Sequence, residues 1–97
     1  MRIEYHPQTA DDLNSALQFY EGERPGLGAE CREEIYNAIN RIKGSPTLYR
    51  KVEGEIRRCL VRRFPFSILY RVIGNEVVRI LVIRHHRKHP RFGQSRR

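Results

Sequence analysis

The sequence predicts an α+β fold of two layers. Its elements run in the order β-α-α-β-β-β, with an αα-hairpin packed on a twisted antiparallel sheet. Three observations predict this. Apolar residues recur at helical spacing between residues 9 and 43, and the period shortens to that of strands from residue 56 onward. Proline and glycine stand where such a chain needs to turn. With 97 residues there is material for one core, and 39% hydrophobic residues is too apolar for a disordered chain. One domain is expected over residues 1–93, with 94–97 a frayed basic tail.

Arg2 to His6 alternates polar and apolar residues, putting Ile3 and Tyr5 on one face of a short strand that Pro7 ends. Thr9 is placed to cap a first helix, and Asp11 and Asp12 sit where the helix dipole favours anions. Ala10, Leu13, Ala16, Leu17 and Tyr20 make its apolar stripe, and Gly22 and Pro25-Gly26 are expected to break it. Leu27, Cys31, Ile35, Ala38 and Ile42 stripe a second helix from about Leu27 to Lys43, stopped by Gly44-Ser45-Pro46.

Three β-rich runs follow: Ile56 to Phe64, Phe66 to Ile73 and Glu76 to His85. Pro65 separates the first two, since it cannot donate to a central ladder. Gly74-Asn75 reads as a two-residue hairpin turn of type II′ or I′. The last run, Val77 to Ile83, is apolar on both faces, which places it centrally with the first strand on its free edge. Phe66, Ile68, Tyr70 and Val72 share one face of the middle strand and are expected in the core rather than stacked on bases. The opposite sheet face is left without a covering element, yet it carries apolar residues beside Arg57, Arg71 or Arg79, the signature of a binding surface.

Charge is more informative than size. Residues 1–44 hold 5 Lys/Arg against 8 Asp/Glu, a net of −3, and residues 45–97 hold 14 against 3, a net of +11. That positive half attracts nucleic acid or an acidic protein segment. No run approaches the ~18 apolar residues of a membrane span, and the N-terminal residues show no apolar signal segment, so a cytoplasmic protein is expected. Two cysteines, Cys31 and Cys59, are too few for a disulfide framework or a four-cysteine zinc site.

Residues 56–85 carry a resemblance. Ile56-Arg57-Arg58, then Arg63-Phe64-Pro65-Phe66-Ser67-Ile68-Leu69-Tyr70-Arg71-Val72, then Val78 to His85, together resemble the RelE/ParE superfamily of toxins. Phe19-Tyr20-Glu21, Leu27-Gly28 and Pro46 fit the same pattern, and the resemblance spans about residues 2–92. It implies the toxin half of a type II toxin–antitoxin pair, of the kind also met as plasmid stabilisation proteins, neutralised by a cognate antitoxin. ParE-like members end the last strand with His-x-Arg-Arg-Asp-Pro. Here His85-His86-Arg87-Lys88-His89-Pro90 keeps the first His, the basic pair and the Pro, with His89 where Asp is usual. Ribonuclease-type members end with Arg-Tyr-His-Tyr, of which only Arg84 and His86 are matched. The sequence is nearer the ParE-like branch, which implies growth inhibition by binding DNA gyrase without catalysis. The alternative is a ribosome-dependent mRNA endoribonuclease.

Each reading has its candidate residues. A nuclease would use His86 as general acid or base, with Arg57 or Arg58, Arg71 and Arg84 clamping the phosphate. A target-binding toxin would use Arg84, Arg87, Lys88 and Arg91 at the exit of the last strand, and Arg57, Arg71 and Arg79 would meet the antitoxin. No metal or other cofactor is expected. His85 and His86 point to opposite faces of a strand, no nearby carboxylate joins them and His89, and neither a nucleotide fingerprint nor a Ser–His–Asp arrangement is present.

Overall fold

A computed structural model describes all 97 residues. The elements are β1 (Arg2–Tyr5), α1 (Thr9–Glu23), α2 (Leu27–Gly44), β2 (Lys51–Glu53), β3 (Ile56–Leu60), β4 (Phe66–Ile73) and β5 (Val77–His85). One sheet contains all five strands, in the order β1-β5-β4-β3-β2. The two helices cover one of its faces, and the main core lies between.

α2 presents Cys31, Ile35, Ala38, Ile39 and Ile42 to that core. The sheet answers with Cys59, Phe66, Ile68, Tyr70, Val78, Ile80 and Ile83. Alternation along β4 thus assigns Phe66, Ile68, Tyr70 and Val72 to the helix side and leaves Ser67, Leu69, Arg71 and Ile73 on the outer side. Burial pushes the Tyr70 hydroxyl up to about 12, and that hydroxyl donates to the Pro46 carbonyl oxygen at 2.7 Å, pinning the loop after α2.

β5 is central, as its two-sided apolar pattern predicts: β1 pairs along one edge and β4 along the other. The Gly74-Asn75 turn has φ of 56° and 58°, the pair of positive values a type I′ turn needs. Three features depart from the sequence reading. The sheet is mixed rather than antiparallel, because β1 runs parallel to β5. β2 is an additional, wholly exposed edge strand of three residues, too short to leave a periodic signal. β3 stops at Leu60, because Arg63 adopts a φ of 69° and turns the chain.

The helix ends also differ. Thr9 is the first residue of α1 rather than its cap, and its hydroxyl donates back to the His6 carbonyl oxygen at 2.7 Å. Gly22 does not stop α1, which runs on to Glu23. Ala10 is exposed, whereas Ala16 and Leu17 are buried and Leu13 and Tyr20 pack against the core as expected, with Thr9 and Asp12 buried beside them. No side chain of Gly26 can cap α2. Glu21, on the preceding helix, does so by accepting the Gly26 and Gly28 amides at 3.0 Å each.

The expected frayed tail at 94–97 is not frayed. The chain after His85 folds back on the outer face of the sheet, where Phe92 packs against Leu69, Leu81 and Val82. It ends with Arg96 only 8% exposed, against Asp12 of α1. The outer face is therefore partly covered by this chain itself, which the sequence reading did not foresee.

Gly28 lies tightly against α1. A Cβ there would sit 2.9 Å from the Leu17 carbonyl oxygen and 3.2 Å from Glu21 Cβ. Gly28→Ala is expected to lower stability by about 1–3 kcal/mol through overpacking, read as a drop in urea midpoint. An unchanged midpoint would show that the hairpin relaxes freely.

Candidate functional site

The cations are sorted by strand parity. Register pairs Ser67 with Arg84, Leu69 with Val82 and Arg71 with Arg79 on the outer face. Arg58 faces Leu69 on the same side. Leu81 is the extra residue of a bulge in β5: Leu69 pairs with Val82, and the next pair is Tyr70 with Ile80. The bulge lets both Leu81 and Val82 be buried while Ile80 and Ile83 still reach the core.

Arg57 pairs with Tyr70 and so lies on the helix side, not with Arg71 and Arg79. Its guanidinium donates to the carbonyl oxygens of Thr47 at 3.0 Å and Tyr49 at 2.7 Å. It is an anchor for the loop after α2. The three arginines expected on one basic face are therefore divided. Arg71 and Arg79 stand opposite one another across β4 and β5, a like-charge pair that Glu4 relieves at 3.3 Å from Arg79. Arg79 Nε also donates to the Arg97 carbonyl oxygen at 2.6 Å, whereas Arg71 Nε is buried without a partner.

The expected ring of arginines around His86 does not assemble. His86 leaves the sheet on the outer side and its Nε2 lies 3.0 Å from Ser67 Oγ. Arg84 is beside it, across from Ser67. Arg71 is four residues further along β4, about 13 Å away at the rise of a strand, and Arg57 is on the other face. Burial, then the nearby Arg58, lowers the Arg84 pKa, and Arg84 Nη1 is spent on the Pro90 carbonyl oxygen at 2.7 Å.

His85 points the other way. Its Nε2 is 3.4 Å from Tyr20 Oη, and its ring meets Phe66 edge-on at a 4.9 Å centroid distance. These residues floor a cleft of about 500 Å³ between α1 and the segment after β5. One wall is Asp11, Ser15, Phe19 and Tyr20, and the other is Arg87, Lys88 and Phe92. Phe19 is 53% exposed, a large aromatic left open at the rim. Arg87, Lys88 and Arg91 are exposed and form no ion pair; Lys88 lies 5.2 Å over the Phe92 ring.

Asp12 does more than its expected part as a first-turn anion favoured by the helix dipole. Its Oδ2 accepts the Ile83 amide at 3.1 Å, and the carboxylate is gripped bidentately by Arg96 at 2.6 and 3.1 Å. The available signal was its spacing, three residues after Thr9 and four before Ala16, on the buried stripe.

This two-layer architecture is shared with solved structures. One chain of the chromosomal ParDE toxin–antitoxin system from P. aeruginosa superposes with a TM-score of 0.78 at 20% identity, covering 88% of this chain and 95% of that one. The fold is thus one that a toxin–antitoxin system uses. A search of curated proteins by sequence gave no match. The sequence itself matches the profile of the ParE toxin of type II toxin–antitoxin systems over residues 3–90, and the chain belongs to that family. No helix is long and apolar enough to cross a membrane.

His85 has a pKa lowered first by burial and then by Arg87, His86 and Lys88. A histidine whose folded pKa lies below its unfolded value, about 6.5, contributes stability that is complete above that value and lost as pH falls through the folded pKa. The melting temperature is expected to fall as pH drops below about 6.5, before carboxylates titrate. His85→Gln is expected to flatten that slope, measured between pH 7.5 and 5 in roughly half-unit steps. An unchanged slope would assign the effect elsewhere.

Proposed function

We propose that this ParE-family toxin inhibits growth by binding DNA gyrase through the basic exit of β5, without catalysing a reaction itself. Arg87, Lys88 and Arg91 carry the contact, with Arg84 behind them. The observation that supports this best is the contrast between two sets of cations. Those at the exit of β5 are exposed and unpaired, while those that would clamp a phosphate around His86 are dispersed. Transesterification of RNA needs an acid, a base and a cationic clamp held together, and here Arg84 and Arg58 lie on the face of His86 while Arg57 faces the helices and Arg71 lies further along β4.

The cognate antitoxin is the second partner. Acidic residues of its C-terminal segment meet Arg71 and Arg79 on the outer face, competing with Glu4 and the Arg97 carbonyl oxygen for Arg79, and its apolar residues enter the cleft at Phe19, Tyr20 and Phe92. A segment that folds on binding covers such separated surfaces at modest affinity per unit area. Co-expression with the small neighbouring reading frame and pull-down tests this. Arg71→Glu with Arg79→Glu is expected to abolish co-purification, and retained co-purification would move the antitoxin elsewhere.

Ribosome-dependent mRNA cleavage is the second reading, kept because Ser67 holds His86 in a fixed orientation. Arg87→Ala, Lys88→Ala and Arg91→Ala are each expected to shift stability by under about 0.5 kcal/mol while together removing growth inhibition. His86→Ala is expected to leave inhibition largely intact. Purified toxin should inhibit gyrase supercoiling and leave ribosome-bound mRNA uncut. If mRNA is cut and His86→Ala reduces cleavage by about 10²–10⁴, the nuclease reading replaces this one.

A further inference from the structure

After His85 the chain has no regular secondary structure, yet it is joined to the sheet and to α1 by contacts along its length. Phe92 covers Leu69, Leu81 and Val82. Gly93, with a φ of 76°, presses on Val82 so closely that a Cβ there would lie 2.5 Å from Val82 Cγ2. The Pro90 and Arg97 carbonyl oxygens occupy Arg84 and Arg79. Arg96 reaches round the sheet edge to Asp12 and also donates to the Leu81 carbonyl oxygen at 3.1 Å.

We propose that residues 87–97 are a strap that opens and closes as a unit, with the buried Asp12–Arg96 pair as its latch. Closed, the strap forms one wall of the cleft, buries the outer apolar patch and occupies Arg79 and Arg84. Open, it uncovers Leu69, Leu81 and Val82, frees both arginines and dismantles the cleft. The cleft and the full outer face are therefore alternative surfaces of one molecule. This goes beyond the target assignment above and holds whichever target is correct.

The latch chemistry favours all-or-none movement. Desolvation offsets most of the attraction in a buried ion pair, so the closed pair adds little net stability. Separating the partners within the protein would strand a buried charge. Lifting the strap strands neither, because Arg96 leaves with it and Asp12 then faces the opened cleft. The other anchors are backbone carbonyls, the Gln94 amide on the Glu53 carboxylate at 3.5 Å and one aromatic ring, which release together with it.

The native thiols supply an internal standard. Cys31 and Cys59 are 0% and 1% exposed inside the main core and become reactive only when the whole fold opens. Leu81, 1% exposed, lies beneath the strap. In full-length Leu81→Cys, labels added by a thiol reagent are counted by mass over time. One label is expected at least ten times faster than the other two. Adding Arg96→Met, which unlatches the strap, or Gly93→Ala, whose Cβ would press on Val82 and also lie 3.3 Å from Arg96 Nε, should each speed that first label at least tenfold. Three labels entering together would overturn the proposal, since the strap would then open only with global unfolding. So would a first label whose rate is unchanged by either variant, because no latch or no unit would exist.

Discussion

β1 ends at Tyr5, while β5 continues from Ile80 to His85 with that edge unpaired. A central strand left half-open in this way would expose amides and carbonyls inside a packed structure, which folded proteins avoid. Two side chains supply what a longer β1 would have given. Asp12 accepts the Ile83 amide and Arg96 donates to the Leu81 carbonyl oxygen, while the two bind each other. Much else depends on this substitution. It sets how α1 sits over the sheet, since Asp12 is on α1. It draws the C-terminal segment across the outer face. It also forms the base of the cleft in which His85, Phe66 and Tyr20 meet.

The charge asymmetry of the sequence has a structural counterpart. Most carboxylates of the acidic half are committed to internal work. Glu21 caps α2, Glu30 holds Arg24 at 3.0 Å and Arg63 at 2.8 Å, Glu34 lies 3.7 Å from Arg63, Asp12 holds Arg96, and Glu4 faces Arg79. Hydrogen bonds from Arg63 and Arg24 hold the Glu30 carboxyl below the usual carboxylate range, and Arg2 and Arg79 do the same for Glu4. The surplus of cations is left without carboxylate partners at the exit of β5. A single-sign surface of this kind speeds encounter with an acidic partner.

The helices, the Gly74-Asn75 turn and the centrality of β5 were legible because each leaves a local signal: a stripe, a turn dipeptide, a run apolar on both faces. What was not legible depends on contacts far apart in sequence. Nothing local distinguishes a solvated Asp12 from one that meets Arg96, 84 residues away. Parallel pairing of β1 depends on how many reversals intervene, and the three exposed residues of β2 hide one of them. At the site, Arg87, Lys88 and Arg91 were legible as a group because they are nearly contiguous. Arg57 was misplaced because its face follows from the register of β3 against β4, which periodicity alone does not reveal. The outer face looked bare because residues 86–97 carry no element pattern with which to cover it.

Pairing of the first strand with the last also has a consequence for synthesis. The central strand, its hairpin partner and the residue that meets Asp12 all lie in the last third of the chain. While a ribosome is still translating that third, α1 and α2 have been made but have no sheet on which to bury Ile35, Ala38 and Ile42. Such a long-range topology cannot close early. The apolar face of the nascent hairpin is exposed to chaperones and proteases until the chain is nearly complete. A premature stop before β5 therefore removes Val78, Ile80 and Ile83 from the core and leaves β1 and β4 without the strand that joins them.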